Sequence, residues 1–149
     1  MTYSVVNTSS WTFDQIAKYG KELTAAFVKL SQTFPDDITP QGIFASLNKG
    51  EHQLWIVLDE DRFVSFILTK THVIDATGKK VVTITSLAGE DGLASGPDIY
   101  ETIEAWAIEQ DADIGAVEGR LGWKRIAARY GYEPYAVIYR KHLRQADGR

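Results

Sequence analysis

Three features of this sequence bring together residue types that can do chemistry. The first is the stretch EGRLGWKRIAARYGYEPYAVIYRKHL, residues 118–143. Arg120 and Lys124 stand four positions apart with Arg125 beside them, so a helix over 122–130 would gather them into one positive patch. The planar fork of arginine suits phosphate oxygens. The same cluster would equally suit nucleic acid, an acidic protein surface or a solvated helix face. The second feature, AGEDGLASGPD over 88–98, is the most glycine-rich loop of the chain and leads into a helix. Glycines there tolerate close backbone approach to a ligand, although such loops are also ordinary surface turns. The third is His72, at the end of an apolar strand pattern, where an imidazole could take a proton at neutral pH or simply face water.

The charge distribution sharpens the first feature. Residues 120–149 hold eight Lys and Arg against two acids, a net +6, while residues 1–119 hold eight against eighteen, a net −10. The overall charge of −4 hides this asymmetry. A basic C-terminal fifth points to an anionic ligand or partner near that end. No recognised nucleic-acid motif accompanies it and the rest of the chain is acidic, so nucleic acid ranks behind other anions.

Length and composition set the frame. At 149 residues the chain is expected to form one domain, 1–149, around one sizeable core. Cysteine is absent, which removes disulfides, thiolate metal sites and a thiol nucleophile. His52, His72 and His142 are scattered, so no metal site is expected. The opening MTYSVVNTSS lacks the basic flank and apolar core of a signal peptide, and no apolar run is long enough to span a bilayer. Cytoplasm is the default compartment, and a phage particle would look the same.

The elements that must position these residues follow from periodicity. Thr12 and Gln15 form a capping box opening a helix over 12–31, with Phe13, Ile16, Leu23, Phe27 and Leu30 on one face. Thr39-Pro40 opens a short second helix, which Gly50 stops. HQLWIVLD and RFVSFILTKT form a hairpin across Asp59-Glu60-Asp61, and DATGKK turns the chain into VVTITSL. A helix over 98–110 carries Ile99, Ile103, Trp106 and Ala107 on one stripe. The short strand ADIGAVEG, the basic helix ended by Gly131 and a strand over 134–141 complete an αα-βββ-α-β-α-β order. A strand–helix–strand crossover makes strands 81–87 and 113–118 parallel neighbours. Trp106, Ile103, Phe66, Leu68, Ile84 and Ile126 are the expected core.

This order of elements, with the closing helix-Gly-aromatic-strand unit GWKRIAARYGYEPYAVIYRKHL, resembles the GNAT-fold N-acetyltransferases over nearly the whole chain. The phrase VEGRLGWKRIAARYGYE is similar to small GNAT-like proteins of tailed bacteriophages. The resemblance implies an α/β fold: a mixed sheet with an antiparallel meander and a splayed parallel strand pair, helices on both faces. It implies acetyl-CoA as acyl donor, with an amine acceptor that is a small molecule or a protein. It also leaves room for a homo-oligomer or a virion partner.

The family's loop Q/R-x-x-G-x-G/A holds pyrophosphate on backbone N–H groups at a helix N-terminus. Here GEDGLASG stands in its place: Gly92 and Ala94 fit, Gly89 replaces the Gln or Arg, and Glu90 and Asp91 add negative charge. By the resemblance, the cofactor contacts fall to Leu87, Gly89, Gly92, Leu93 and Ala94, with Arg120, Lys124 and Arg125 pairing to CoA phosphates. Glu90 and Glu118, at the ends of the two parallel strands, are the carboxylates available as general base. The family's proton-donating Tyr, four residues before the helix-ending Gly, falls on Ala127. Tyr130 is the nearby phenol that could serve instead, although both it and Tyr132 also read as core. Two functions follow: an acyl-CoA-dependent N-acyltransferase, or a GNAT-derived binding or structural protein that no longer uses the cofactor.

Overall fold

The computed structural model describes residues 3–89, 97–119 and 124–144. Its centre is a five-stranded sheet in the order β1-β2-β3-β4-β5. The strands are β1 (Tyr3–Asn7), β2 (His52–Asp59), β3 (Arg62–Val73), β4 (Lys80–Gly89) and β5 (Ile114–Val117). Neighbours are antiparallel except for β4 and β5, which run parallel in the register Val81↔Ile114 to Ile84↔Val117. The fold class expected from the sequence holds: a mixed sheet with an antiparallel meander, one parallel pair and helices on both faces.

Helices cover both faces, so β2 and β3 are buried on both sides. Leu54, Ile56, Leu58, Phe66 and Leu68 pack under α2 (Gly20–Thr33) and α3 (Pro40–Asn48) through Leu23, Phe27, Leu30 and Ile43. Trp55, Val57, Val64, Ile67, Val82 and Ile84 meet Ile99, Tyr100, Ile103 and Ala107 of α4 (Pro97–Glu109) on the other face. On the α4 side of the sheet runs a buried polar chain. Trp55 Nε1 donates to Thr69 Oγ1 at 3.0 Å, and Thr69 Oγ1 donates to Gln53 Oε1 at 2.8 Å. This network satisfies three polar groups that would otherwise be costly to bury.

The local signals act as their chemistry dictates. Thr12 Oγ1 accepts from Gln15 N, and Gln15 Oε1 accepts from Thr12 N at 2.7 Å, completing the capping box of α1 (Phe13–Ala17). Thr39 caps α3 through Gly42 N at 3.0 Å, with Pro40 at the first helical position. Gly131, past α5 (Lys124–Arg129), takes φ +86°, the left-handed cap that glycine tolerates best.

Four expectations change. The helix expected over 12–31 is two helices broken at Lys18-Tyr19. Gly20 is a poor helix former, and Tyr19 is buried with its hydroxyl donating to Asp61 O at 3.2 Å. Tertiary docking of Tyr19 thus overrides the helical period. An N-terminal strand, β1, precedes the helices and pairs with β2, because Tyr3 and Val5 supply apolar cover for the α4 face. Residues 134–141 form no strand, despite their β-branched and aromatic content. Pro134 cannot donate to a ladder, and the segment joins none of the strands among the described residues. Finally, Trp106 and Ile126 are only partly buried, whereas Ile103, Phe66, Leu68 and Ile84 are buried as expected. Trp106 lies edge-on to Trp55, ring centroids 5.4 Å apart, at the rim of the layer.

Candidate functional site

The parallel pair opens into a fork. The last ladder bond runs from Glu118 N to Ile84 O at 2.9 Å. β4 continues to Gly89, paired there with β3 alone among the described residues. The opening coincides with a β-bulge. Leu68 pairs with Ser86 and Thr69 with Ile84, so Thr85 is the extra residue, and its hydroxyl donates to Leu68 O at 3.2 Å. A bulge bends its strand and re-aims the residues beyond it. Ile84 and Leu87, three apart, consequently both meet the α4 layer, which a regular strand would forbid.

The crossover geometry decides what surrounds the fork. Both parallel strands run toward the fork, and α4, which crosses between them, starts at the same end of the sheet. The crevice outside the carboxyl ends of parallel strands is where open α/β sheets bind ligands. The other end is tied shut: Lys80 N donates to Asp113 Oδ2 at 3.0 Å, and Lys80 Nζ donates to Gln110 O at 2.7 Å.

An aromatic cluster joins α4 to α5 in this layer. Tyr100, in the first turn of α4, stacks on Tyr130 at 4.2 Å between centroids, with ring planes 20° apart. Tyr132 lies 6.0 Å from Tyr100 and donates its hydroxyl to Glu104 Oε2 at 2.8 Å. Gly115 of β5 makes room for it, since a methyl group there would come within 3.2 Å of the Tyr132 hydroxyl. Burial, then Tyr130, pushes the Tyr100 phenol up to about 12. Burial raises Tyr132 further, with the Glu104 carboxylate adding to it. Both phenols are therefore protonated at neutral pH. The Tyr100 hydroxyl is buried with no hydrogen-bond partner among the described residues.

The residues singled out by sequence fall as follows. Leu87 is half-buried against the α4 layer, and Gly89 ends β4 opposite Ser65. Glu118 is exposed one residue past β5, its N–H closing the fork. Lys124 and Arg125 are exposed on the first turn of α5, and Tyr130 is half-buried under Tyr100. Glu90, Gly92, Leu93, Ala94 and Arg120 lie outside the described residues. His72 pairs with Val81 near the start of β4, at the end of the strand away from the fork. Leu87 and Gly89 thus stand on one arm of the fork and Glu118 at the base of the other, while His72 lies at the far end of the sheet.

Sequence reasoning missed Tyr100, Glu104 and the Thr85 bulge. The first two carried a readable signal. Tyr100 belongs to the Ile99, Ile103, Ala107 stripe, and Glu104 lies four residues on, one turn away. The bulge left no mark that periodicity alone could separate from a regular strand.

No protein-family model matches this sequence, and no curated protein matches it. Solved structures match it along almost its whole length. A glucosamine-6-phosphate N-acetyltransferase from Arabidopsis thaliana is 10% identical with a TM-score of 0.69, over 96% of this chain and 99% of that one. An aminoglycoside acetyltransferase from an uncultured soil metagenomic sample, in complex with sisomicin, is 12% identical with a TM-score of 0.67, over 95% and 97%. A GNAT family acetyltransferase of Staphylococcus aureus is 10% identical with a TM-score of 0.65, over 96% and 100%. At such identities the likeness establishes the fold.

Proposed function

Since the chain has the fold of the GNAT acetyltransferases, we propose that it transfers an acyl group, acetyl in the simplest case, from acyl-CoA to an amine. The observation that carries this reading is the fork: a bulged β4 running past its parallel partner beside the start of α4. In the proposed reaction the amine nitrogen attacks the thioester carbonyl carbon directly and the C–S bond breaks, with no covalent enzyme intermediate. Backbone groups of β4 at Leu87 and Gly89 align the acyl group. Gly92, Leu93 and Ala94, with the N-terminus of α4, cradle the pyrophosphate. Arg120, Lys124 and Arg125 pair with CoA phosphates. Glu118 or Glu90 takes the amine proton, and Tyr130 returns one to the departing thiolate. Tyr100 holds the Tyr130 ring by stacking.

A second reading has its own support. In the sequence, Glu90 and Asp91 fall within the family's pyrophosphate-loop motif, and Ala127 falls at the position of the family's Tyr. These favour a GNAT-fold binding or structural protein, of the kind phages carry, that has given up the cofactor. Calorimetric titration with acetyl-CoA separates the two. The acidic loop predicts weak binding by the native chain, and Gly89→Arg with Glu90→Gly improves it if the fork is otherwise intact. Tight native binding promotes the enzyme reading. Binding by neither protein leaves the scaffold reading standing.

A further inference from the structure

The flank of α4 turned away from Tyr132 carries an open cleft of about 450 Å³ that the proposed acyl transfer does not use. Helical spacing builds its wall: Glu101, Ala105 and Glu109 follow one another at every fourth position, with Thr102 and Trp106 beside them. Glu104, which holds Tyr132, lies two residues from both Thr102 and Trp106 and so on the opposite flank. Trp106 is half-buried and forms the apolar wall, and Trp55 of β2 stands edge-on to it, ring planes 87° apart. Ala105, small and exposed, leaves the space between the two glutamates clear. Size and lining suit a small organic ligand, since ligand clefts of roughly 300–1,000 Å³ join apolar walls to a few placed polar groups.

The charge in this cleft has one sign. Glu101 and Glu109 are exposed and enter no ion pair among the described residues. The elements α4, β1 and β2 hold no lysine or arginine. Glu109 is also the last residue of α4, where the negative pole of the helix disfavours a carboxylate. Lys80 reaches that end but is occupied by Gln110 O at 2.7 Å. A bound cation would relieve the carboxylate that the dipole opposes. Among the described residues no three His, Asp or Glu converge as metal ligands. Two carboxylates beside an indole are instead a setting for an organic cation, which the electron-rich ring face attracts.

We propose that this cleft binds an elongated organic dication, two alkylammonium groups joined by an aliphatic chain. At about 1.5 Å of rise per residue, Glu101 and Glu109 stand ~12 Å apart along the helix axis. One ammonium group meets each carboxylate. The chain between them lies over Ala105 and the Trp106 ring, where it loses contact with water. A compact monocation can meet only one of the two carboxylates at a time and leaves the indole uncovered. The spacing therefore selects for length as well as charge. The inference does not depend on whether acyl-CoA binds at the fork.

The test uses the full chain at low ionic strength, where exposed charges are least screened. Methonium dications serve as probes because their quaternary nitrogens accept no acyl group. Calorimetry should show decamethonium binding in the sub-millimolar range, with tetramethylammonium roughly tenfold weaker. Glu101→Gln with Glu109→Gln should weaken decamethonium roughly tenfold and leave the circular dichroism unchanged, because both side chains are exposed. Glu22→Gln with Glu60→Gln removes the same charge from exposed positions outside the cleft and should change binding by less than about twofold. In nuclear magnetic resonance spectra, the indole N–H signal that vanishes in Trp106→Phe should shift on titration of the native chain. Absence of decamethonium binding overturns the proposal, as does tetramethylammonium binding equally well. So does equal weakening by the two pairs of substitutions, or a spectral shift that spares Trp106.

Discussion

Replacing Tyr100 by Phe removes one oxygen and leaves the ring. The residue is 1% exposed, and its hydroxyl has no partner among the described residues. A buried polar group left unpaired costs about 1–3 kcal/mol, so removing it should return on the order of 1 kcal/mol to the folded state. In a chain of this size that is a rise of about 2–4 °C in Tm. The stack on Tyr130 depends on the ring and persists in the variant. Alkaline unfolding gives a second readout. The folded-state phenol is raised from 10.0 to about 12, so above pH 10 the unfolded chain loses this proton first and stability falls. The Phe variant should lose stability less steeply there, keeping the part of the slope due to Tyr132, which is raised in the same direction. Thermal melts at neutral pH and denaturant titrations across the alkaline range measure both effects. A Tm lowered by several degrees would refute the reasoning, since it would mean that the hydroxyl holds a bond worth more than its burial costs.

Two further outcomes follow from burial and charge. Trp106→Ala removes a half-buried ring packed edge-on against Trp55. It should cost roughly 2 kcal/mol, less than the ~3–5 of a fully buried tryptophan, as read from urea midpoints. His52 is held below the ordinary imidazole value of 6.5, first by burial and then by Lys70, with Glu51 opposing. The unfolded chain therefore takes up the proton first as pH falls below 6.5, and stability drops until the folded-state value is passed. His52→Gln should flatten that acid slope, and an unchanged slope in denaturant titrations would remove His52 as its source.

Legibility in the sequence tracked how local the physics was. The Thr12 and Thr39 caps and the Gly131 stop were readable because each is settled within a few residues. The β2–β3 hairpin and the parallel β4–β5 pair were readable because period and crossover handedness leave few alternatives. The break at Tyr19 was hidden, since it depends on a hydroxyl reaching Asp61 across the fold. The 134–141 segment has strand propensity yet joins no ladder. Propensity describes a segment alone, while pairing depends on where the rest of the fold holds it, here through Arg140 and His142 to Asp37 and Asp36. At the site, Leu87 and Gly89 on β4 and Glu118 just past β5 stand on the two arms of the fork because the order of elements sets those strands side by side. The Tyr100–Tyr130 stack and the Thr85 bulge emerge only from packing.

The bilayered core places the fork and the α1–α3 layer on separate sides of one wall of strands. Side chains such as Phe27 and Ile43 touch one cluster, while Tyr100 and Ile103 touch the other. Substitutions on opposite sides should therefore combine almost independently, as sites without shared partners do. Over evolutionary time this would let the helices before the meander drift, acquiring new shapes and new surfaces, while the strands and α4 keep the fork in register. A fold divided in this way can retain its architecture long after its sequence has ceased to announce it.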